Sequence, residues 1–241
     1  ARKCTEQLAG GNGGVVSLGG FGGYITFHFD HPIANVAGER DLLIKGNAIG
    51  GGAEPGIVMV SVDANSNGLP DDEWYELSGS ADMDCPGQVD YGYEVTYTRV
   101  PMQDIPWADN RGNRGTVARN TSHTQEYYPL WLPDKLTLHG TRLPDNATDV
   151  SGKGILWVLD AFRYGYADNL PNTDRDGCSF DIGWAVDAQR QSVQLMHIDF
   201  VRVYSATNQN CGWVGETSTE ISGAEDLHYE APEVADDRKR Q

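Results

Sequence analysis

Oxygen-bearing side chains recur at every second position through Asp63-Ala-Asn65-Ser-Asn67-Gly68-Leu69-Pro-Asp71-Asp72-Glu73-Trp74. That spacing is what a hard cation needs to be wrapped. In an EF-type loop the first, third and fifth positions give side-chain oxygens, a glycine makes the sharp turn, the seventh gives a carbonyl and the ninth completes the shell. Asp63, Asn65, Asn67, Gly68, Leu69 and Asp71 fill those places in order. The twelfth place holds Trp74 where a bidentate glutamate is expected, so Asp72 or Glu73 has to close the site. The predicted metal set is Asp63, Asn65, Asn67, the Leu69 carbonyl, Asp71 and Glu73, with calcium as the ion. A hairpin turn rich in Asx and glycine, without metal, accounts for the same residues.

A second acidic run, Asp168-Asn-Leu-Pro-Asn172-Thr-Asp174-Arg-Asp176-Gly177, alternates oxygens more loosely around Arg175. Asp168, Asn172, Asp174 and Asp176 form a weaker cation set or a solvated turn. A third constellation is aromatic: Trp107, Tyr127, Tyr128 and Trp131 stand near Asp109, Asn110, Arg111, Asn113 and Gln125. Flat rings with amides around them make a platform for a sugar or an amide-fringed macrocycle; packed beneath long loops, the same rings plug the end of a sandwich. The expected ligand-binding residues are Trp107, Asp109, Asn110, Arg111, Tyr127, Tyr128 and Trp131. Catalytic signals are thin. His28, His31, His123, His139, His197 and His228 form no recognisable pair, and no H-E-x-x-H, G-x-S-x-G or phosphate loop is present. Glu54, Glu73, Glu216 and Glu220 are the carboxylates available for glycoside hydrolysis, the third-ranked reading behind ligand binding and structural adhesion.

These groups must be positioned by strands. Short apolar or alternating runs recur at Tyr24 to Phe29, Asp41 to Lys45, Ile57 to Val62, Trp74 to Leu77, Tyr93 to Val100, Leu136 to His139, Ile155 to Phe162, Phe180 to Val186 and Val193 to Tyr204. In the first, Ile25, Phe27 and Phe29 share one face while Tyr24, Thr26 and His28 share the other, the period of a half-buried antiparallel strand. Such runs with almost no helical periodicity predict an all-β, two-sheet antiparallel sandwich spanning 1–229, with a polar tail or linker over 230–241. Pro101 to Trp131 and Ala167 to Ser179 read as long functional loops.

The 241 residues include 29 glycines and carry a formal net charge of −17, which repels phosphate backbones and makes nucleic acid a poor partner. No apolar run is long enough to span a bilayer. Cys4, Cys85, Cys178 and Cys211 lack C-x-x-C spacing. In an exported chain, Cys178 with Cys211 and Cys4 with Cys85 is the preferred disulfide pairing; four buried thiols are the alternative.

The metal loop, following a β-branched strand, resembles the dockerin or thrombospondin type. A wider resemblance rests on Gly22-Gly-Tyr-Ile-Thr-Phe-His-Phe-Asp-His-Pro-Ile33, Asp41-Leu-Leu-Ile-Lys-Gly-Asn47, Glu54-Pro, Thr137-Leu-His-Gly-Thr-Arg-Leu-Pro144, Phe180-Asp-Ile182, His197-Ile-Asp-Phe-Val-Arg-Val-Tyr204 and Gly215-Glu-Thr-Ser-Thr-Glu-Ile-Ser-Gly-Ala224. From about Gly14 to about His228 the chain resembles a family of secreted cell-surface, PKD-associated proteins of gut Bacteroidetes. The resemblance implies a galactose-binding-like jelly roll, export, a lipid anchor in the full precursor, and a TonB-dependent outer-membrane transporter as partner. It implies capture of a small ligand, such as the corrinoid cobalamin, or of a glycan, and supplies no catalytic residue. Cys4, after Ala-Arg-Lys, does not sit in a lipobox.

Overall fold

The computed structural model of the chain describes residues 2–11, 13–120, 122, 124–215 and 217–229. It is an all-β sandwich of open antiparallel sheets with little helix. A five-stranded sheet runs in the order Ala185–Val186, Trp74–Leu77, Gly56–Ser61, Phe200–Ser205 and Tyr24–Phe27. A three-stranded sheet, in the order Ser179–Phe180, Leu42–Lys45 and Gly223–Asp226, completes the main core. Alternation explains the packing. On Phe200–Ser205, Val201 and Val203 point inward and are buried, whereas Arg202 and Tyr204 point outward and are half-buried. Val58 and Val60 meet Leu42, Ile44, Phe180 and Ile182 in the same core.

The sequence reading places a long loop from Pro101 to Trp131; the structure corrects it. Ile105–Asp109 and Arg114–Val117 form a hairpin that continues Asp90–Thr98 as a three-stranded meander, and Lys135–Arg142 returns to pair on the free side of Asp90–Thr98, which makes the meander sheet four-stranded with Greek-key order. The hairpin is hard to read because Pro106, Gly112 and Gly115 interrupt the β pattern while Asp109 closes the turn, accepting the amides of Arg111 (3.0 Å) and Asn113 (2.7 Å). The meander has its own core, in which Tyr93, Val95 and Tyr97 alternate inward to meet Phe21, Ile105, Val117 and Tyr128.

The meander also lies over part of the outer face of the five-stranded sheet, and a glycine allows the approach. A Cβ at Gly140 would fall 2.5 Å from Thr207 Oγ1 and 3.0 Å from the Tyr204 ring. Thr141 then donates its amide to Tyr204 Oη (3.0 Å) and its hydroxyl to Glu76 Oε2 (2.6 Å). Neither expected disulfide forms: all four cysteines are free, with Cys178 and Cys211 buried. The tail over 230–241 lies outside the described residues.

Phe180 is fully buried at the sheet-to-sheet contact. Phe180→Ala should therefore cost about 3–5 kcal/mol, a loss on the order of 10 °C in Tm, measured by thermal melting. A loss under about 1 kcal/mol would show that the two sheets do not share this core.

Candidate functional site

The Asp63 loop folds as a tight series of Asx turns. Asp63 accepts the amides of Asn67 (3.0 Å) and Gly68 (2.8 Å), and Asn67 Oδ1 accepts the amide of Leu69 (2.7 Å). Ser66 and Gly68 take positive φ of 58° and 74° to bring the oxygens round. The side-chain amides of Asn65 and Asn67 both donate to Asp71 (3.3 and 3.1 Å), so three of the residues expected to share an ion lie in contact. The closing group is where geometry discriminates. Glu73 accepts the Tyr75 hydroxyl (2.9 Å), while Asp72 Oδ2 is enclosed and without a hydrogen-bond partner among the described residues. Of the two carboxylates, Asp72 therefore keeps an oxygen uncommitted to protein donors.

The second acidic run does not gather as its spacing suggests. The Asn172 side chain is consumed by the backbone of Gly46, accepting its amide (3.0 Å) and donating to its carbonyl (2.8 Å). Asp174 accepts the amide of Gly177 (3.0 Å), and Asp176 faces Arg40 at 3.6 Å. Asp168 instead turns inward, at a φ of 53°, and meets Glu54 and Glu220, with one oxygen from each within 4.8 Å of the others. Its oxygens accept three backbone amides, from Asn47 (2.7 Å), Ala48 (2.8 Å) and Glu220 (2.8 Å). Glu54 accepts the Ser218 amide (2.9 Å) and Glu220 the Ser218 hydroxyl (3.0 Å). Burial, reinforced by the Glu220 charge against the opposing amide bonds, pushes the Asp168 carboxyl up to about 6. Three crowded carboxylates in the interior need a shared proton or a hard cation. Sequence spacing could not show this trio, because its members come from three distant segments. Glu216 and His123 lie outside the described residues.

The aromatic constellation is spent on packing and turn closure. Tyr128 is fully buried in the meander core, Trp107 and Tyr127 pack against it, and the Tyr127 hydroxyl reaches the Val214 carbonyl (3.2 Å). Asn110 bonds Glu94 and Gly92 across the meander, and Arg111 pairs with Asp90. Trp131 alone stands out, 85% exposed.

A concavity lies elsewhere. A cleft of about 510 Å³ opens between the outer face of the five-stranded sheet and the meander's Leu138–Thr141 segment. Its floor includes a transverse row set by register: Val186 opposes Glu76, Glu76 opposes Met59, and Met59 opposes Arg202. Trp74, Tyr24, Tyr91 and Tyr204 bring rings to it. Arg190 is neutralised at one end: it bonds Glu76 (2.9 Å) and Asp82 (3.2 Å), and its guanidinium lies 3.8 Å from the Tyr91 ring centre. Burial pushes the Glu76 carboxyl upward, against the lowering effect of Thr141 and Arg190. At the other end, Arg202 lies 3.9 Å from the Trp74 ring centre and 5.2 Å from that of Tyr24, which is 62% exposed. The available sequence signal was aromatic residues at the outward phase of strands, a phase normally occupied by small polar groups.

Neither a protein-family model nor a curated protein matches the chain.

A folded Asp168 with a raised pKa holds a proton that the unfolded chain releases from about pH 4 upward. Its contribution to stability is present below that pH and is lost as pH rises through about 6. In chelator, Glu220→Gln should flatten the fall of Tm across this window. In excess calcium at pH 7 the parent should gain Tm and the variant should gain less. An equal calcium gain in both would remove the trio as a cation site.

Proposed function

We propose that this chain is a non-enzymatic binding protein of the bacterial cell surface that captures a saccharide in the cleft below Leu138–Thr141. The observation that carries the reading is the cleft itself: rings and directional polar groups share one concave wall of about 510 Å³, within the usual range for small-ligand sites. The wide face of Tyr24 supplies apolar area at small entropy cost, while Arg202, His139 and the backbone at Gly92 and Gly140 offer fixed polar partners. A corrinoid with its nucleotide arm is much larger than a drug-sized ligand, so this volume favours a glycan of a few rings.

Glycoside hydrolysis fits less well. Glu76 is tied to Thr141 and Arg190, and Asp187 accepts the amides of Gln189 (2.9 Å) and Gln191 (2.8 Å), which leaves the cleft without an acid and a nucleophile facing each other. Glu54 and Glu220 meet inside the fold with Asp168 rather than across an open groove. Calcium in this reading is structural, held by the Asp63 loop with Asp72 closing it, and export to the surface with a lipid anchor and a transporter partner follows the sequence resemblance. Among the described residues no helix is long and apolar enough to cross a membrane.

Two measurements test the reading. A thermal-shift screen of neutral and acidic oligosaccharides alongside cobalamin should yield a saccharide hit, and Trp74→Ala should weaken that hit by about 1–3 kcal/mol in calorimetry. Trp131→Ala, at the exposed ring outside the cleft, should leave the affinity unchanged. If Trp131→Ala abolishes binding and Trp74→Ala does not, the site lies on the meander loops. For the loop, Asp72→Asn should reduce the calcium-dependent gain in Tm more than Glu73→Gln does; the reverse order would return the closing role to Glu73.

A further inference from the structure

We propose that the saccharide is acidic, a pyranose bearing a carboxylate, and that Arg202 receives that carboxylate; the inference rests on the binding reading of the cleft. Arg202 stands in the middle of the floor, on a strand paired on both sides. Its Nε–H donates to Thr26 Oγ1 (3.1 Å), which fixes the plane of the guanidinium. The Tyr24 ring approaches from the adjacent edge strand at 5.2 Å, and the Trp74 ring reaches over from Trp74–Leu77, beyond Gly56–Ser61, at 3.9 Å. Rings against a guanidinium leave its in-plane N–H groups as the open direction. Those terminal donors meet no protein acceptor among the described residues, and Arg202 makes no ion pair there.

The other charges facing the cleft are already balanced or capped. Arg190 is held by Glu76 and Asp82, His139 lies 3.3 Å from Glu94, and Asp187 is committed to the amides of its own turn. In a chain of net charge −17, acidic partners for an outward arginine are plentiful, yet this one is surrounded by rings, Met59 and a hydroxyl. A fork with two free parallel donors matches a carboxylate bidentately, and the pair is strengthened where rings exclude water. Tyr24, at the edge of the same floor and largely exposed, is placed to take the apolar face of the sugar that carries the acid. The position of the cation beside the ring, rather than at the far end of the cleft, points to a carboxylate attached directly to the pyranose.

The test uses matched pairs of probes on the intact chain: trigalacturonate against its methyl ester, and sialyllactose against lactose. Calorimetry should give at least a tenfold tighter Kd for the acidic member of one pair, falling steeply with added salt. In Arg202→Gln, checked for folding by its Tm, the two members of that pair should bind within about twofold of each other. The parent comparison needs no variant, so it stands even if Arg202→Gln does not fold. Binding of both members without preference, still weakened by Trp74→Ala, would overturn the acidic assignment and keep the cleft as the site. No binding by any of the four probes would overturn the assignment and count against the binding reading as well. A preference that survives unchanged in folded Arg202→Gln would overturn the role of Arg202.

Discussion

The register of the strand Phe200–Ser205 is the constraint on which the rest of the structure depends. It is hydrogen-bonded on one side to Gly56–Ser61 and on the other to Tyr24–Phe27, so its phase sets that of its neighbours. Val201 and Val203 face the sandwich core, and Arg202 and Tyr204 face the cleft. A slip of one residue would drive a guanidinium and a phenol into an apolar core and expose two valines. The same register that builds the hydrophobic interior therefore also aligns Glu76, Met59 and Arg202 across the floor of the candidate site. Core packing and the shape of the cleft floor are two faces of one pairing.

Around this sheet the irregular segments are held less by ion pairs than by buried carboxylates that accept backbone amides. Asp41, fully buried, takes the amides of Val36 (2.8 Å) and Ile182 (2.9 Å) and faces His228 Nε2 at 3.0 Å. Asp168 does the same for the segments at Asn47 and Glu220. Each such carboxylate replaces several turns' worth of local bonding with one polar anchor, which lets long connections lie against the core without orphaned donors. Burial raises both carboxyls, which the amide bonds only partly offset. Pairwise surface bridges such as Arg163 with Asp84 are exposed and contribute little by comparison.

The fold class was legible because period-two alternation is a local property: the runs at Tyr24, Trp74 and the Val-Arg-Val-Tyr of the central strand carry their faces in their order. The meander hairpin was not, since Pro106 and Gly115 are poor strand formers that only tertiary pairing holds extended. The Asx turns of the Asp63 loop were legible for the same reason as the strands, their residues being close in sequence. What sequence could not show was convergence. Asp168 reads as one member of a local acidic run, yet its partners are Glu54 and Glu220, which meet it only in the folded chain. Likewise Tyr24, Trp74 and Arg202 are unremarkable on separate strands and line one cleft only in the assembled sheet.

The unpaired cysteines have a practical meaning beyond covalent architecture. Cys178 and Cys211 lie 5% and 4% exposed, and burial pushes both thiols up to about 11, so in the folded chain they are shielded and overwhelmingly protonated. Reaction with an alkylating reagent then waits on opening of the surrounding structure. Cys178 sits between the Asp168 turn and the three-stranded sheet, and Cys211 in the connection that follows the central strand. The molecule thus carries two native probes of local breathing in different regions, and their separate labelling rates distinguish a loosening of one segment from a cooperative unravelling of the whole.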